Sequence, residues 1–339
     1  MTLKRILAVF PGQGAQHVGM AKELLEQFKI ASEAFEEASD HCHLPLRKLC
    51  LEGPDAELQK TEFTQPCLLT ASVAAFWVAR KELDFKPSLV AGHSLGEYSA
   101  LVAAGALSLG QAAAWVHRRG QAMQEAVPLG EGSMAAILGL SDGQISKLCQ
   151  AATQAATQLR ADPSRETQLS VPAIVEPAND NAPGQMVIAG STDAIEAAIQ
   201  LVKTDPEFKG GKAIPLKVSA PFHCSLMKPA RQVMEGIFRS MPKVPLQLAC
   251  PYLPNRTGRE TQEPTVILDF LAEQVDHPVL WRPSMERALD LGYTQGVEFG
   301  PGKVLAGLQK RIAQPRSIEF TMKNFGDYTT FKELESWLK

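Results

Sequence analysis

The chain has 339 residues, with 34 Lys and Arg against 37 Asp and Glu and a formal net charge of −3. That balance, with no dense basic run interleaved with aromatics, excludes a general nucleic-acid surface, and no stretch reaches the roughly 18 apolar residues of a membrane span. Six cysteines (Cys42, Cys50, Cys67, Cys149, Cys224, Cys250) lie scattered without a C-x-x-C pair, which argues against a disulfide framework or zinc ribbon and points to a reducing cytoplasm.

Residues 5–10 form a short apolar strand stopped by Pro11-Gly12-Gln13-Gly14. The run is too short for a secretory signal. Helices are expected over 20–28 and 32–38. His41-Cys42-His43 is set aside as a metal tract, because alternate residues do not share a helical face and no further ligand cluster is near. A long apolar helix over 64–80 then leads to a strand over 88–91.

That strand runs into Gly92-His93-Ser94-Leu95-Gly96 and a helix-forming segment over 97–104. A G-x-S-x-G pattern carries meaning in this strand-turn-helix setting. The glycines permit a tight turn, the serine hydroxyl is lifted above the sheet edge, and the helix N-terminus faces the reacting atom. Ser94 is therefore a candidate nucleophile. On the next helix, over 111–126, Ala112, Trp115, Val116, Ala122, Met123 and Ala126 share an apolar face, and Arg119 falls on it. An inward arginine needs an anion. Spacing leaves two readings open, an internal carboxylate or a ligand carboxylate held by the bidentate fork.

The middle of the chain has a different texture. A strand over 133–138, a helix over 143–159 behind the cap candidates Ser141 and Asp142, strands over 171–175 and 185–189, a helix over 193–203 capped near Ser191 and a strand over 212–218 follow in turn. The order β-α-β-β-α-β marks a ferredoxin-like unit, drawn at 129–213 and inserted between 1–128 and 214–339 of a larger α/β domain. The polar run over 161–168 is expected to be a surface loop.

A serine nucleophile needs a base. His93 adjoins Ser94 and diverges from it, His17, His41 and His43 sit in unremarkable segments, and His277 is ambiguous. His223 is the better candidate, because it follows the strand over 212–218 and so lies at a strand's carboxyl end. Nucleophile before histidine is also the chain order of α/β-hydrolase-type sites.

Phe10-Pro-Gly-Gln-Gly14, Thr64-Gln-Pro66, Gly92-His-Ser-Leu-Gly-Glu-Tyr98, Arg119-Gly120, Ala220-Pro-Phe-His223 and Glu298-Phe-Gly-Pro-Gly-Lys303 together resemble the malonyl-CoA:acyl carrier protein transacylases, in order and over nearly the whole chain. The resemblance implies an α/β-hydrolase-like large subdomain with the ferredoxin-like insertion. It implies Ser94 as the acylated nucleophile and His223 as general base, oriented by the Gln274 backbone carbonyl in place of a triad aspartate. The oxyanion hole would be the Gln13 and Leu95 amides, and Arg119 the clamp for the free malonyl carboxylate. Phe222 matches a bulky residue that crowds out a methyl branch, and Met123 joins the substrate-binding set. Lys212 matches a basic position facing coenzyme A or carrier phosphates, with a solvated surface lysine as the plainer alternative. Asn181 and Gln185 fit a loop at the substrate site, with turn chemistry as the alternative.

The implied partners are malonyl-CoA and a phosphopantetheinylated acyl carrier protein, with no cofactor beyond these substrates, a cytoplasmic location and a monomeric state. The implied pathway is fatty-acid synthesis. A discrete malonyl transferase of a polyketide pathway has the same chemistry, and an acyl-carrier acyl hydrolase is the third alternative, against which Arg119 speaks. Two stretches depart from the family pattern: the segment 154–171 is longer than in compact members, and the chain after Ile312 differs.

Overall fold

A computed structural model describes residues 5–162, 169–240 and 247–339. Through them run strands β1 (Leu7–Phe10), β2 (Leu89–Gly92), β3 (Gly132–Leu138), β4 (Val175–Ala182), β5 (Gln185–Ser191), β6 (Lys212–Pro215), β7 (Tyr252–Leu253), β8 (Gln295–Phe299) and β9 (Thr321–Phe325). The chain divides into two units: Met1–Gln121 with Met241–Ile267 and Pro283–Lys339, and Ala122–Ser240 with Leu268–Arg282. Among the described residues no helix is long and apolar enough to cross a membrane.

The first unit is built on an all-parallel sheet in the order β7-β2-β1-β8-β9. Strands covered on both faces are apolar throughout rather than alternating, and β1 and β2 are buried at every residue. Aromatic packing fixes one layer of this core: the Phe299 ring centroid lies 5.2 Å from Phe85, 5.4 Å from Phe76 and 5.8 Å from Phe10. Phe76 comes from the helix Thr61–Leu83, which is buried along most of its length. Pro66 sits inside that helix and cannot donate to the Glu62 carbonyl. His117 Nδ1 takes that carbonyl instead, at 3.0 Å, and ties the helix Leu109–Glu125 to it.

The second unit contains an antiparallel sheet in the order β4-β5-β3-β6, with helices Asp142–Arg160 and Thr192–Thr204 between its strands, as the ferredoxin-like reading expects. Ile137, Ile145, Leu148, Ile188, Ile195 and Phe208 form its core. Ser141 caps the first helix in a capping box with Gln144. Ser191 does not cap the second through its side chain; its hydroxyl accepts from the Ile174 N–H at 3.3 Å.

Two strands differ from expectation. β4 spans Val175–Ala182 rather than 171–175. Its polar run pairs with β5 through two register irregularities, and on its other side Asp180 N–H donates to Val279 O while Val279 N–H donates to Ala178 O, both at 2.9 Å. Flanked on both sides, Asn179, Asp180 and Asn181 are buried despite their polarity. This pairing also explains why the unit takes in 268–282 as well as the 129–213 span. β6 stops at Pro215, earlier than 218, because after one more bond to β3 (Leu216 N–H to Met134 O, 3.0 Å) the chain turns on Val218 N–H to Leu216 O. Of the loop expected over 161–168, residues 163–168 lie outside the described residues. Its flanks are pinned, with Arg160 donating to Asp193 at 2.6 and 2.8 Å and Ser170 N–H donating to Glu131 at 2.7 Å.

Candidate active site

β2 ends at Gly92 and the helix Gly96–Ala103 begins four residues later. So abrupt a change of direction leaves no room for side chains at its ends. A Cβ on Gly92 would lie 1.8 Å from Gly96 O, and one on Gly96 would lie 2.1 Å from Phe10 O. Between them Ser94 takes φ +52°, the left-handed region that residues with a Cβ rarely adopt. Its N–H donates to Asn255 Oδ1 at 2.7 Å.

The turn after β1 lies against this elbow. His93 N–H donates to Phe10 O at 3.0 Å, and a Cβ on Gly12 would lie 2.6 Å from His93 O. Thr61 Oγ1 donates to Gln13 Oε1 at 2.5 Å and anchors the turn's side chain. Among the described residues no acceptor takes the backbone N–H of Gln13 or of Leu95. An oxyanion hole is built from backbone N–H donors of this kind.

Arg119 reaches the same place from the helix Leu109–Glu125. Gly120 makes that possible: a Cβ there would meet Glu62 Cα at 2.7 Å and Thr61 O at 2.8 Å, so only glycine lets the two helices approach so closely. The Arg119 side chain is 1 % exposed. Its Nη1 donates to Gln65 Oε1 at 2.7 Å and its Nη2 to Ser94 Oγ at 3.2 Å, and its guanidinium carbon lies 5.8 Å from the Tyr98 ring centroid. Burial lowers its pKa, with Tyr98 and Glu97 pulling the other way. A desolvated guanidinium beside a hydroxyl is a strong attractor for an anionic group attached to that hydroxyl.

The other expected residues lie in the second unit. His223 is buried, with φ +63°, in the turn that follows β6. Its Nδ1–H donates to Gln274 O at 2.8 Å, just beyond the helix Ile267–Glu273. That bond selects the tautomer whose Nε2 is the basic nitrogen. Phe222 and Met123 are buried. Asn181 and Gln185 are on strands rather than a loop: they stand near the end of β4 and at the start of β5, where a register with two irregularities pairs Ala182 with Gln185. Lys212 is exposed at the start of β6, opposite Leu138. Among the other histidines, His17 bonds Val18 O, His41 bonds Glu37 O, and His277 bonds Glu273 O and Asp276. Among the described residues no group of three or more His, Cys, Asp or Glu is placed to hold a metal ion.

Two residues of this site carried no assigned role in the sequence. Gln65 lies within the Thr64-Gln-Pro66 motif, and no local spacing signals its contact with Arg119, 54 positions away. Asn255 lies in Pro254-Asn255-Arg256-Thr257-Gly258, which has the composition of an ordinary turn.

Residues 8–145 match the family model for the acyl transferase domain. The chain is 43% identical over 309 residues to the malonyl CoA-acyl carrier protein transacylase of Salmonella typhimurium, covering 90% of this chain and 91% of that one. It is 40% identical over 330 residues to the protein of that name from Bacillus subtilis, covering 95% and 97%. An acyl carrier protein S-malonyltransferase of Vibrio cholerae superposes with a TM-score of 0.85 at 38% identity, over 98% of this chain and 100% of that one. A malonyl-transacylase solved with a type II PKS acyl-carrier protein gives 0.87 at 37% identity, over 98% and 99%.

Proposed function

The chain belongs to the malonyl CoA-acyl carrier protein transacylase family, and from that premise we propose that it moves malonate from malonyl-CoA to the phosphopantetheine thiol of an acyl carrier protein by way of a malonyl-Ser94 ester. The observation that carries this reading is the 3.2 Å between Arg119 Nη2 and Ser94 Oγ. It explains why the acyl group should be one with a free carboxylate.

In the first half-reaction Ser94 Oγ attacks the thioester carbonyl and His223 Nε2 takes its proton. The oxyanion is held by the Gln13 and Leu95 amides, each such donor being worth roughly 3 kcal/mol in the transition state. The intermediate collapses, and His223 returns the proton to the departing coenzyme A thiolate. In the second half-reaction His223 deprotonates the carrier's thiol, which attacks the malonyl-serine ester through the same oxyanion site; as the ester C–O bond breaks, His223 returns the proton to Ser94 Oγ. Arg119 holds the malonyl carboxylate throughout. Phe222 limits branching next to the carbonyl, and Met123 lines the acyl site. Asn181, Gln185 and Lys212 are assigned to the coenzyme A or carrier side. Acyl exchange between thiols neither gains nor loses electrons, so this reading calls on no cofactor beyond the two substrates. It also places the enzyme in the cytoplasm, as a monomer.

Fatty-acid synthesis is the pathway this reading favours. The likeness to a transacylase solved with a type II PKS carrier favours a second destination with identical chemistry. Incubation with malonyl-CoA, followed by intact-protein mass spectrometry and then by a panel of holo-carriers, tests both. A malonyl adduct that is absent from Ser94→Ala and is discharged by a carrier is the expected result. Acetyl loading as efficient as malonyl loading would overturn the assignment of Arg119.

A further inference from the structure

Three hydrogen bonds converge on Asn255, which is 0 % exposed. Its Oδ1 accepts from the Ser94 N–H at 2.7 Å, its Nδ2 donates to Gly92 O at 2.6 Å, and its own backbone N–H donates to Glu97 Oε2 at 3.2 Å. The carboxamide has one possible orientation, because a backbone N–H only donates and a carbonyl only accepts. Register explains how it arrives there. β7 pairs parallel with β2, Val90 with Tyr252 and Ala91 with Leu253, so the chain leaving β7 runs beside the turn leaving β2.

Ser94 holds its left-handed backbone only if its surroundings over-determine it. One planar group bridges Gly92 O and Ser94 N–H, the two ends of the tripeptide, so opening the turn breaks at least one strong bond. We propose that Asn255 is a positioning residue of the transfer reaction: its carboxamide holds Ser94 in the conformation that presents Oγ, and it occupies the Ser94 N–H so that the Leu95 N–H is the one left for the oxyanion. This rests on the reading of Ser94 as the acylated nucleophile. Other residues fail at 255 for separate reasons. Aspartate accepts from Ser94 N–H but, ionised, offers no donor to Gly92 O and adds a carboxylate beside Glu97. Serine is too short to span both groups, and leucine fills the space with neither a donor nor an acceptor.

Rapid-quench acylation of the full-length enzyme by excess malonyl-CoA separates positioning from stability. The burst amplitude counts competent sites, and the first-order rate constant reports the chemistry at each. Asn255→Leu and Asn255→Ser are expected to lower the saturating rate constant by about 10- to 100-fold, with the apparent malonyl-CoA affinity within about three-fold of the unmodified enzyme. Asn255→Asp should fall between. A purely structural role gives a smaller amplitude with an unchanged rate constant, and that result overturns the proposal. If Asn255→Leu does not fold, Asn255→Ser decides alone. Ser94→Ala is run in parallel: a malonyl adduct there removes the nucleophile reading itself, whereas no adduct there and an unmodified rate constant in Asn255→Ser removes the positioning role only.

Discussion

Nη2 of Arg119 donates to Oγ of Ser94 across 3.2 Å while Nη1 of the same guanidinium donates to Gln65 Oε1 at 2.7 Å. The arginine is thus held by an amide on one prong and presents the other to the serine that carries the acyl group. On the proposed reading the malonyl carboxylate meets that second prong. Arg119→Ala should lower malonyl transfer kcat/KM by about 10²- to 10³-fold, or about 3 to 4 kcal/mol, because truncation leaves the substrate's carboxylate buried without its partner. Acetyl transfer should fall far less, and hydrolysis of the acyl-enzyme should rise. Arg119→Lys should recover only part, since an ammonium lacks the planar fork. Malonyl transfer unchanged in Arg119→Ala would sink the clamp assignment.

Phe222 precedes His223 in chain and is buried. If it limits branching of the acyl group, Phe222→Leu should raise the methylmalonyl-to-malonyl ratio of kcat/KM. One methyl group in a pocket is worth about 1 to 3 kcal/mol, so the ratio should rise by about 10- to 100-fold. The ratio is measured with both coenzyme A esters on the same preparation, which cancels any loss of folded enzyme. A ratio within twofold of the unmodified protein would assign selectivity elsewhere.

The parts of this site that were legible in the sequence are those set by near neighbours in the chain. The elbow at Ser94 and the inward face of Arg119 follow from glycine spacing and helical periodicity over fewer than about twenty residues. Asn255 was not legible, because its partners Gly92 and Ser94 lie 163 and 161 positions away and meet it only through the β2–β7 register. β4 departs from its expected span for a related reason. Glu176 to Asn181 have the composition of a loop, and what makes them a strand is pairing with β5 and with Val279. Ser191 has the composition of a helix cap, yet its hydroxyl is engaged by Ile174 N–H.

Glu298 gives a pH-dependent prediction. It is fully buried on β8 and accepts from Leu305 N–H at 3.1 Å, Ala306 N–H at 2.9 Å and Asn324 Nδ2 at 2.9 Å. Burial raises its pKa above the ordinary 4.5, and the three donors only partly oppose this. The folded state therefore keeps this proton to higher pH than the unfolded chain does, and Glu298 erodes stability as pH rises through that window. Glu298→Gln removes the titration. Its stability relative to the unmodified protein should improve as pH rises above the ordinary carboxyl value of 4.5, as read from denaturant midpoints at each pH. A difference that is constant with pH would mean that folding does not shift this carboxyl.

The turn at Gly12 tests the oxyanion site without touching any group that bonds the substrate through a side chain. A Cβ at Gly12 would stand 2.6 Å from His93 O and 3.1 Å from His93 Nδ1. The carbonyl belongs to the elbow, which Asn255 holds in place, so the turn after β1 has to give. Gln13 is the next residue, and its N–H moves with the turn. Gly12→Ala should therefore lower kcat by about 10²-fold, the cost of one misdirected oxyanion donor, with KM for malonyl-CoA within about three-fold because Arg119 and its contacts are untouched. Gly307→Ala is the control, since a Cβ there meets nothing within 4 Å, and it should leave kcat unchanged. A Gly12→Ala enzyme with normal kcat would mean that the Gln13 amide does not hold the oxyanion. A rise in KM at normal kcat would instead move the turn's role to ground-state binding of the thioester.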